Sequence, residues 1–533
     1  MKKIGIALWI LGVARLASAA QATGNDDPSP PPPASERTDS ERIRKLEAEI
    51  EQLKAENAGR KAGLPGAVRL DDSGGEGAPS QASSSGLIEL RASFTDGFHL
   101  KSNDGMFDLH IGGRVEEVYR EIFDRPIVGA NTGAAAKLQP NTFYFHELFL
   151  SLDGTIYNDW GFKINGDFSP QGANATNPTA STATGAPTGG ITGTIVEQAW
   201  LEYKRYEWFR IQFGQFKSPN EVESIESPLF QELVNRSPMS RFVENWEVGL
   251  QFYGSVLDNL FTYNVALMNG RGALANAGRS LVDDNDGKEV DARLTVAPFI
   301  PTGDPLLKGL RVGVWGSYAH EGQGGVPGGT NAQGFPPAVG FQSTDFGVSY
   351  LEFGASPLVF HGSRSREGAE LTYVAGPFEL RGEAMIRRDE FIMTGGPDQG
   401  RDDKLTMKGY YGQVSCILTG EEKIPGARII PNHPLDPSAG DWGAFEVAAR
   451  FGGVSLDRRA LNEIFAPGSF IAAGNSNHMT ALAAGVNWWF TRNTKLAFDY
   501  VAEHYDEGDS FASTPPVNRK HLNGFLSQVQ IDF

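Results

Sequence analysis

Cysteine is nearly absent. Cys416 stands alone in 533 residues, so neither an internal disulfide nor a cysteine-built zinc site can form within one chain. Basic residues are in deficit, with 47 Lys and Arg against 65 Asp and Glu and a formal charge of −18. A nucleic-acid binder would show a basic stripe instead, so no nucleic-acid partner is expected. Long apolar runs are also missing. A transmembrane helix needs about 20 apolar residues, and the run Ile4 to Val13 has about half that. Any crossing of a membrane has to be made by strands. The nine histidines form no H-E-x-x-H, and neither G-x-S-x-G nor GxxxxGK[ST] occurs, so the usual metal, nucleophile and phosphate-loop chemistries have no motif here. No cofactor or metal is expected.

What is present begins with a secretory signal over residues 1–19. Lys2 and Lys3 supply the charge, Ile4 to Val13 the apolar stretch, and Ala17-Ser18-Ala19 an A-x-A cleavage site. Residues 20–41 form a Pro-rich linker around Pro30 to Pro33. In 42–58, Ile43, Leu46, Ile50, Leu53 and Asn57 recur at 3-4-3-4 spacing, the a/d seam of a short α-helical coiled coil. A lone amphipathic helix is the alternative. Residues 59–86 read as a Gly/Ser-rich linker, leaving 87–533 as the main domain.

That domain repeats one pattern: two alternating strands, a short turn, then a long polar or glycine-rich loop. The candidate strands are 106–122, 143–156, 160–168, 195–204, 208–216, 247–256, 259–268, 289–299, 309–319, 367–375, 377–388, 407–419, 443–451, 480–490, 495–504 and 523–533. They number sixteen, and bacterial single-chain barrels have an even count with short turns at one end and long loops at the other. The pattern holds once Phe346 to Phe353 is assigned to the loop 320–366. Segment 420–442, placed at the short-turn end, is too long for it. Faces are segregated as well. Leu496, Phe498 and Tyr500 oppose Lys495, Asp499 and Glu503, and Phe378, Leu380, Ala384 and Ile386 oppose Glu379, Arg381, Glu383 and Arg387. Such charge is intolerable in a dry core unless paired and natural beside a water-filled lumen. Tyr157, Trp160, Trp246 and Trp488 fall near strand ends, where an aromatic girdle would sit. Cys416 shares the apolar face of Tyr410, Val414 and Leu418 and should meet lipid or a neighbouring subunit. The expected fold is an all-β transmembrane antiparallel barrel of 16 strands, preceded by the coiled coil.

Several short segments carry a family resemblance. Phe98-His99-Leu100-Lys101-Ser102-Asn103-Asp104-Gly105 with Gly112-Gly113-Arg114, then Gly214-Gln215-Phe216-Lys217, and Leu418-Thr419-Gly420-Glu421 with Gly443 to Arg450 form an ordered series. Gly485-Val486-Asn487-Trp488-Trp489 completes it. In order and spacing these resemble the phosphate-selective porins of the O and P type, over about residues 94–533. The resemblance implies an exported outer-membrane homotrimer of sixteen-stranded channels, with lipid around it and small hydrophilic solutes or ions passing through. It also implies a constriction formed by the third external loop, here 217–246, whose arginines and the wall's arginines and lysines draw phosphate in other members.

This chain departs from that pattern. Its candidate constriction residues are Lys217, Glu221, Glu223, Glu226, Glu232, Arg236 and Arg241, with the four acids central and the bases at the margins. Lys217 lies in the matching motif, and Arg236 stands where the family's loop carries an arginine. By alternation, the lumen-lining bases are Arg114, Lys163, Lys204, Arg210, Arg293, Arg311, Arg381, Arg387, Arg450 and Lys495. The lumen-facing acids are Asp108, Glu116, Asp153, Asp167, Glu202, Asp291, Glu370, Glu379, Glu383, Glu446, Asp499, Glu503 and Asp532. Since selectivity follows rings of one sign, this mixed wall predicts a passive channel with weak anion preference or none. Two rivals remain. A structural or adhesive barrel anchored by the coiled coil would not conduct, and an enzyme would need a dyad such as His146-Glu147 beside Asp153.

Overall fold

A computed structural model of the chain describes residues 90–94, 96–123, 141–169, 195–243, 246–270, 287–321, 341–347, 349–351, 358–393, 400, 402–457, 476–506 and 521–533. The signal peptide, both linkers and the coiled coil expected from the sequence lie outside these residues. No described helix is long and apolar enough to cross a membrane.

Among the described residues twenty strands follow in chain order: β1 (Leu90–Phe94), β2 (Phe98–Ser102), β3 (Phe107–Ile122), β4 (Thr142–Ile156), β5 (Trp160–Asp167), β6 (Ile195–Tyr206) and β7 (Phe209–Lys217). Then come β8 (Trp246–Val256), β9 (Phe261–Met268), β10 (Glu289–Val296), β11 (Leu310–Glu321), β12 (Phe341–Gln342), β13 (Ser349–Leu351) and β14 (Leu358–Ala375). The last are β15 (Phe378–Met393), β16 (Asp402–Ile417), β17 (Ala444–Leu456), β18 (His478–Thr491), β19 (Thr494–Tyr505) and β20 (His521–Asp532). From β3 to β11 and from β14 to β20 each strand pairs antiparallel with the next, and β20 returns to β3. Sixteen strands therefore close into a cylinder. Closure leaves the cylinder's backbone groups paired with one another, the condition for strands in hydrocarbon.

Two features were not foreseen. A hairpin of β1 and β2 adds to the seam, because β3 offers Arg114 to Ile122 to β20 and Asp108 to Ile111 to β2. Between the two, Gly113 and Phe533 exchange backbone hydrogen bonds of 2.9 and 3.0 Å. Several strands also run further toward the long loops than the alternation suggested, and β14 begins at Leu358 rather than 367. Gly362 and Gly368 interrupt the pattern there. Among the described residues of Phe346 to Phe353, assigned to a loop, none joins the cylinder's sheet, because β12 and β13 pair only with each other.

The pleat sorts the side chains. In β16, Leu405, Met407, Tyr411, Gln413 and Ser415 are buried inward, while Tyr410 and Val414 are exposed outward. Cys416 shares that outward face. The exposed apolar set on other strands includes Leu150, Ile164, Val265, Val314, Leu380, Leu482, Phe498 and Ile531. Such a belt is a liability in water and the required surface in lipid. Tyr157, Trp208, Trp442 and Phe378 stay exposed toward the short-turn end, where an aromatic girdle belongs. Trp246 does not join them, since it is buried where β8 leaves the long loop.

Candidate pore constriction

The motif Gly214 to Lys217 ends β7 and launches the loop. Gly214 has φ of 119°, and a Cβ there would lie 2.2 Å from the Ala199 carbonyl oxygen. Only glycine lets β7 lie this close to β6. Beyond Lys217 the chain turns inward and crosses the barrel. The Val222 amide donates to Glu383 Oε2 on β15 at 3.2 Å, and the Val234 amide to Asp499 Oδ2 on β19 at 2.6 Å. Met239 and Phe242 pack with Met407, Tyr411 and Val454.

Three of the four loop acids are ion-paired to the β15–β17 flank. Glu223 meets Arg450 at 3.1 Å. Glu226 accepts both terminal nitrogens of Arg381, at 2.6 and 3.1 Å, the bidentate arrangement that gives such pairs their strength. Glu232 meets Lys423 at 2.6 Å and accepts from Gln413 at 2.8 Å. Burial alone would push the Glu232 carboxyl up, but Lys423 and Arg381 hold it down, at about 2. The fourth, Glu221, accepts from the Ser224 hydroxyl. Burial, together with Glu383 and Glu223, pushes its carboxyl well above the ordinary range. The loop's composition is acidic, yet its acids are neutralised.

Several wall bases grip the loop. Arg387 Nη1 donates to the Phe242 carbonyl at 2.7 Å, Lys495 Nζ to the Gln231 carbonyl at 3.2 Å, and Arg114 reaches Ser227 Oγ at 3.4 Å. With Arg381 and Arg450, all are buried. Other bases pair within the wall: Arg293 with Glu370 at 2.6 Å, Arg210 with Glu202 at 3.8 Å, and Lys204 Nζ with Thr155 Oγ1 at 2.8 Å. Arg311 is half-buried on the inward face, and Arg241 lies near Asp345.

A second group forms on the opposite flank. Lys217 lies within electrostatic reach of Arg236, Arg114 and Lys163, with Glu197 among them. Lys217 Nζ donates to the carbonyls of Ile225 and Glu226 at 3.3 and 2.5 Å, contacts that hold its position. The sequence brought out these four bases separately, and the fold brings them together.

Other charges were missed. Lys423 belongs to the long segment between β16 and β17, which has no alternation to follow. It enters the barrel to meet Glu232 and Glu446. Arg364 and Arg366 clasp Glu289 at 2.7 and 2.5 Å, from strand residues read as loop. Arg120 continues the inward row of Arg114 and Glu116 and donates to the Phe346 carbonyl at 3.1 Å. Asn235 joins the loop to Asp345 at 3.3 Å, so residues 343–346 also pack inward.

The imagined dyad is not assembled. His146 contacts Glu116 at 3.0 Å, while Asp153 contacts His110 at 3.1 Å. A bulge at His146 turns it inward beside Glu147, and with Glu116 the three could converge on a cation. Arg114 already occupies both carboxylates.

Residues 129–531 match the family described as phosphate-selective porin O and P. The chain belongs to that family. Porin O of Pseudomonas aeruginosa is 23% identical over 435 residues, covering 77% of this chain and 86% of its own. Among solved structures, the outer membrane channel DcaP of Acinetobacter baumannii aligns with a TM-score of 0.44 at 12% identity, over 81% of this chain and 99% of its own. The outer-membrane-expressed OmpT of Vibrio cholerae gives 0.43 at 9%, over 80% and 98%. The family assignment rests on the sequence match. This porin is an outer-membrane barrel and a diffusion channel for small solutes, and its family points to a channel rather than an enzyme.

Proposed function

We propose that this porin favours small anions, phosphate-sized oxyanions among them, over cations. The supporting observation is the gathering of Arg114, Lys163, Lys217 and Arg236 within electrostatic reach of one another, while the loop carboxylates are engaged on the other flank. Charge of one sign in a narrow, low-dielectric passage concentrates the opposite ion. The name of the family and the likeness to Porin O agree with this reading. The mixed inventory of wall charges, which pointed to little preference, gave every residue equal weight, although many hold one another or the loop; within the gathered group Arg114 is itself paired with Glu116 and Glu147.

Reversal potential across a planar bilayer under a KCl gradient, repeated with phosphate, tests it. Wild type should be anion-selective, and Lys217→Glu should lower or invert the preference. A cation-selective wild type would defeat the proposal, and a silent bilayer would favour the tethering alternative.

A homotrimer is the second part of this reading. Glu117 is exposed on the outward face of β3, between cross-strand neighbours Phe145 and Val529 that belong to the apolar belt. A carboxylate facing hydrocarbon is costly, and a neighbouring subunit would cover it. Chemical cross-linking in membranes should yield trimers, and Glu117→Arg should weaken them.

A further inference from the structure

Three of the chain's nine histidines stand together at the long-loop end of the seam, away from the lumen. His504, one residue before the end of β19, is the cross-strand partner of His521, which begins β20. Their Nδ1 atoms lie 3.1 Å apart and the rings stack at 4.4 Å. His478 begins β18 beside them. The neighbours Met479, Glu503, Tyr505 and Leu522 are buried inward, so all three imidazoles project from the outer face. Asp506 ties the group together, with one oxygen 3.3 Å from His504 Nε2 and the other 2.9 Å from His478 Nδ1.

We propose that His504 and His521 bind a divalent late transition-metal ion of the Zn²⁺, Ni²⁺ or Cu²⁺ class through their Nδ1 atoms. Imidazole suits these ions. Bonds of about 2.0–2.1 Å at a tetrahedral angle put two nitrogens about 3.3 Å apart, close to the separation found. Rotation of the two exposed rings about Cβ–Cγ turns both lone pairs to a common ion. Asp506 supplies the supporting contact that metal-binding histidines almost always have. Accepting a hydrogen bond from His504 Nε2–H, it leaves the lone pair on Nδ1 for the ion. Water completes the shell. The bound ion ties β19 to β20 where the loop between them departs.

The test uses full-length, tag-free protein, purified in detergent and stripped with chelator, titrated with Zn²⁺ by calorimetry and with Cu²⁺ by electron paramagnetic resonance. One ion per chain is expected, with nitrogen hyperfine structure from two imidazoles. His504→Ala and His521→Ala should each weaken binding at least about tenfold, and Asp506→Asn about 10- to 100-fold. His146→Ala, which removes the histidine of the Glu116 cluster, should leave binding unchanged. These outer-face residues do not touch the passage, so unaltered strand content and conductance report that each variant is folded. Binding that survives the double His504→Ala/His521→Ala change, binding lost in His146→Ala instead, or no binding by wild type at micromolar ion would each overturn the proposal.

Discussion

Lys423 Nζ lies 2.6 Å from Glu232 Oε1, and the two residues belong to segments that enter the barrel from opposite ends. Glu232 comes with the loop after β7, and Lys423 with the turn after β16. Burial would lower the Lys423 ammonium, but Glu232, Glu446 and Glu379 push it above its ordinary value. The inserted loop is thus fastened from beneath as well as from the wall.

Removing one partner of a buried pair leaves the other uncompensated, at about 3–5 kcal/mol. Lys423→Ala should fall near the low end, about 3 kcal/mol, because Arg381 remains 4.0 Å from Glu232. The double change with Glu232→Gln should recover part of that loss. A double-mutant cycle by denaturant unfolding should yield a coupling of about 0.5–3 kcal/mol, and single-channel records of Lys423→Ala should show added noise. Strict additivity would mean the contact is incidental.

The same pair fixes a pH window. Glu232 titrates below its ordinary 4.5 in the folded chain, at about 2, so its stabilisation is complete above about 4.5 and lost as pH falls toward 2. Lys423 titrates above its ordinary 10.5, so its share is complete below that value and lost as pH rises through the raised one. Conductance should hold steady between these limits and become erratic in acid near pH 2–3. Recording from one bilayer over stepped pH checks this.

Glu221 behaves oppositely. Its carboxyl is pushed up, so the folded state prefers the protonated form and loses stability as pH rises through the raised value. Glu221→Gln keeps a neutral side chain of the same shape. It should fold, conduct as wild type and lose less stability as pH rises above 4.5, whereas Glu223→Gln, which deprives Arg450 of its partner, should destabilise the barrel.

Loop anchoring also depends on absent side-chain volume. A Cβ on Gly485 would lie 2.0 Å from Asp499 Oδ1 and 2.9 Å from Leu233. Asp499 is the acceptor for the Val234 amide. Gly485→Ala should therefore dislodge that contact at a cost of about 1–3 kcal/mol, seen as a lower unfolding midpoint and an altered conductance. An unchanged midpoint would show that Asp499 moves freely.

The cylinder was legible because alternation is a local property. Each strand's two faces differ so sharply in β16 and β19 that sixteen segments could be counted without any contact information. Boundaries failed where glycine or serine blurred the pattern, as at Gly362 to Ser365. The β1–β2 hairpin was missed because its short strands lack a consistent apolar face. The site was legible only as an inventory. Alternation places Arg381 and Arg450 inward, but it cannot say that Glu226 and Glu223 cancel them, because those partners lie more than 150 residues away in sequence. Lys423, in a segment with no periodicity, gave no signal at all.

The unequal strand lengths shape the mouth. Beyond the cross-strand row of Glu289, Ala319 and Arg364, where β10 begins, β14 runs on for residues 358–363, about 20 Å more of strand. On that flank Arg388 pairs with Glu367 at 2.5 Å and Lys404 with Glu390 at 2.8 Å, all facing away from the lumen. Such ions cannot rest in hydrocarbon, so the bilayer ends beneath them. The rim is lopsided, with a parapet on one side that is wetted front and back.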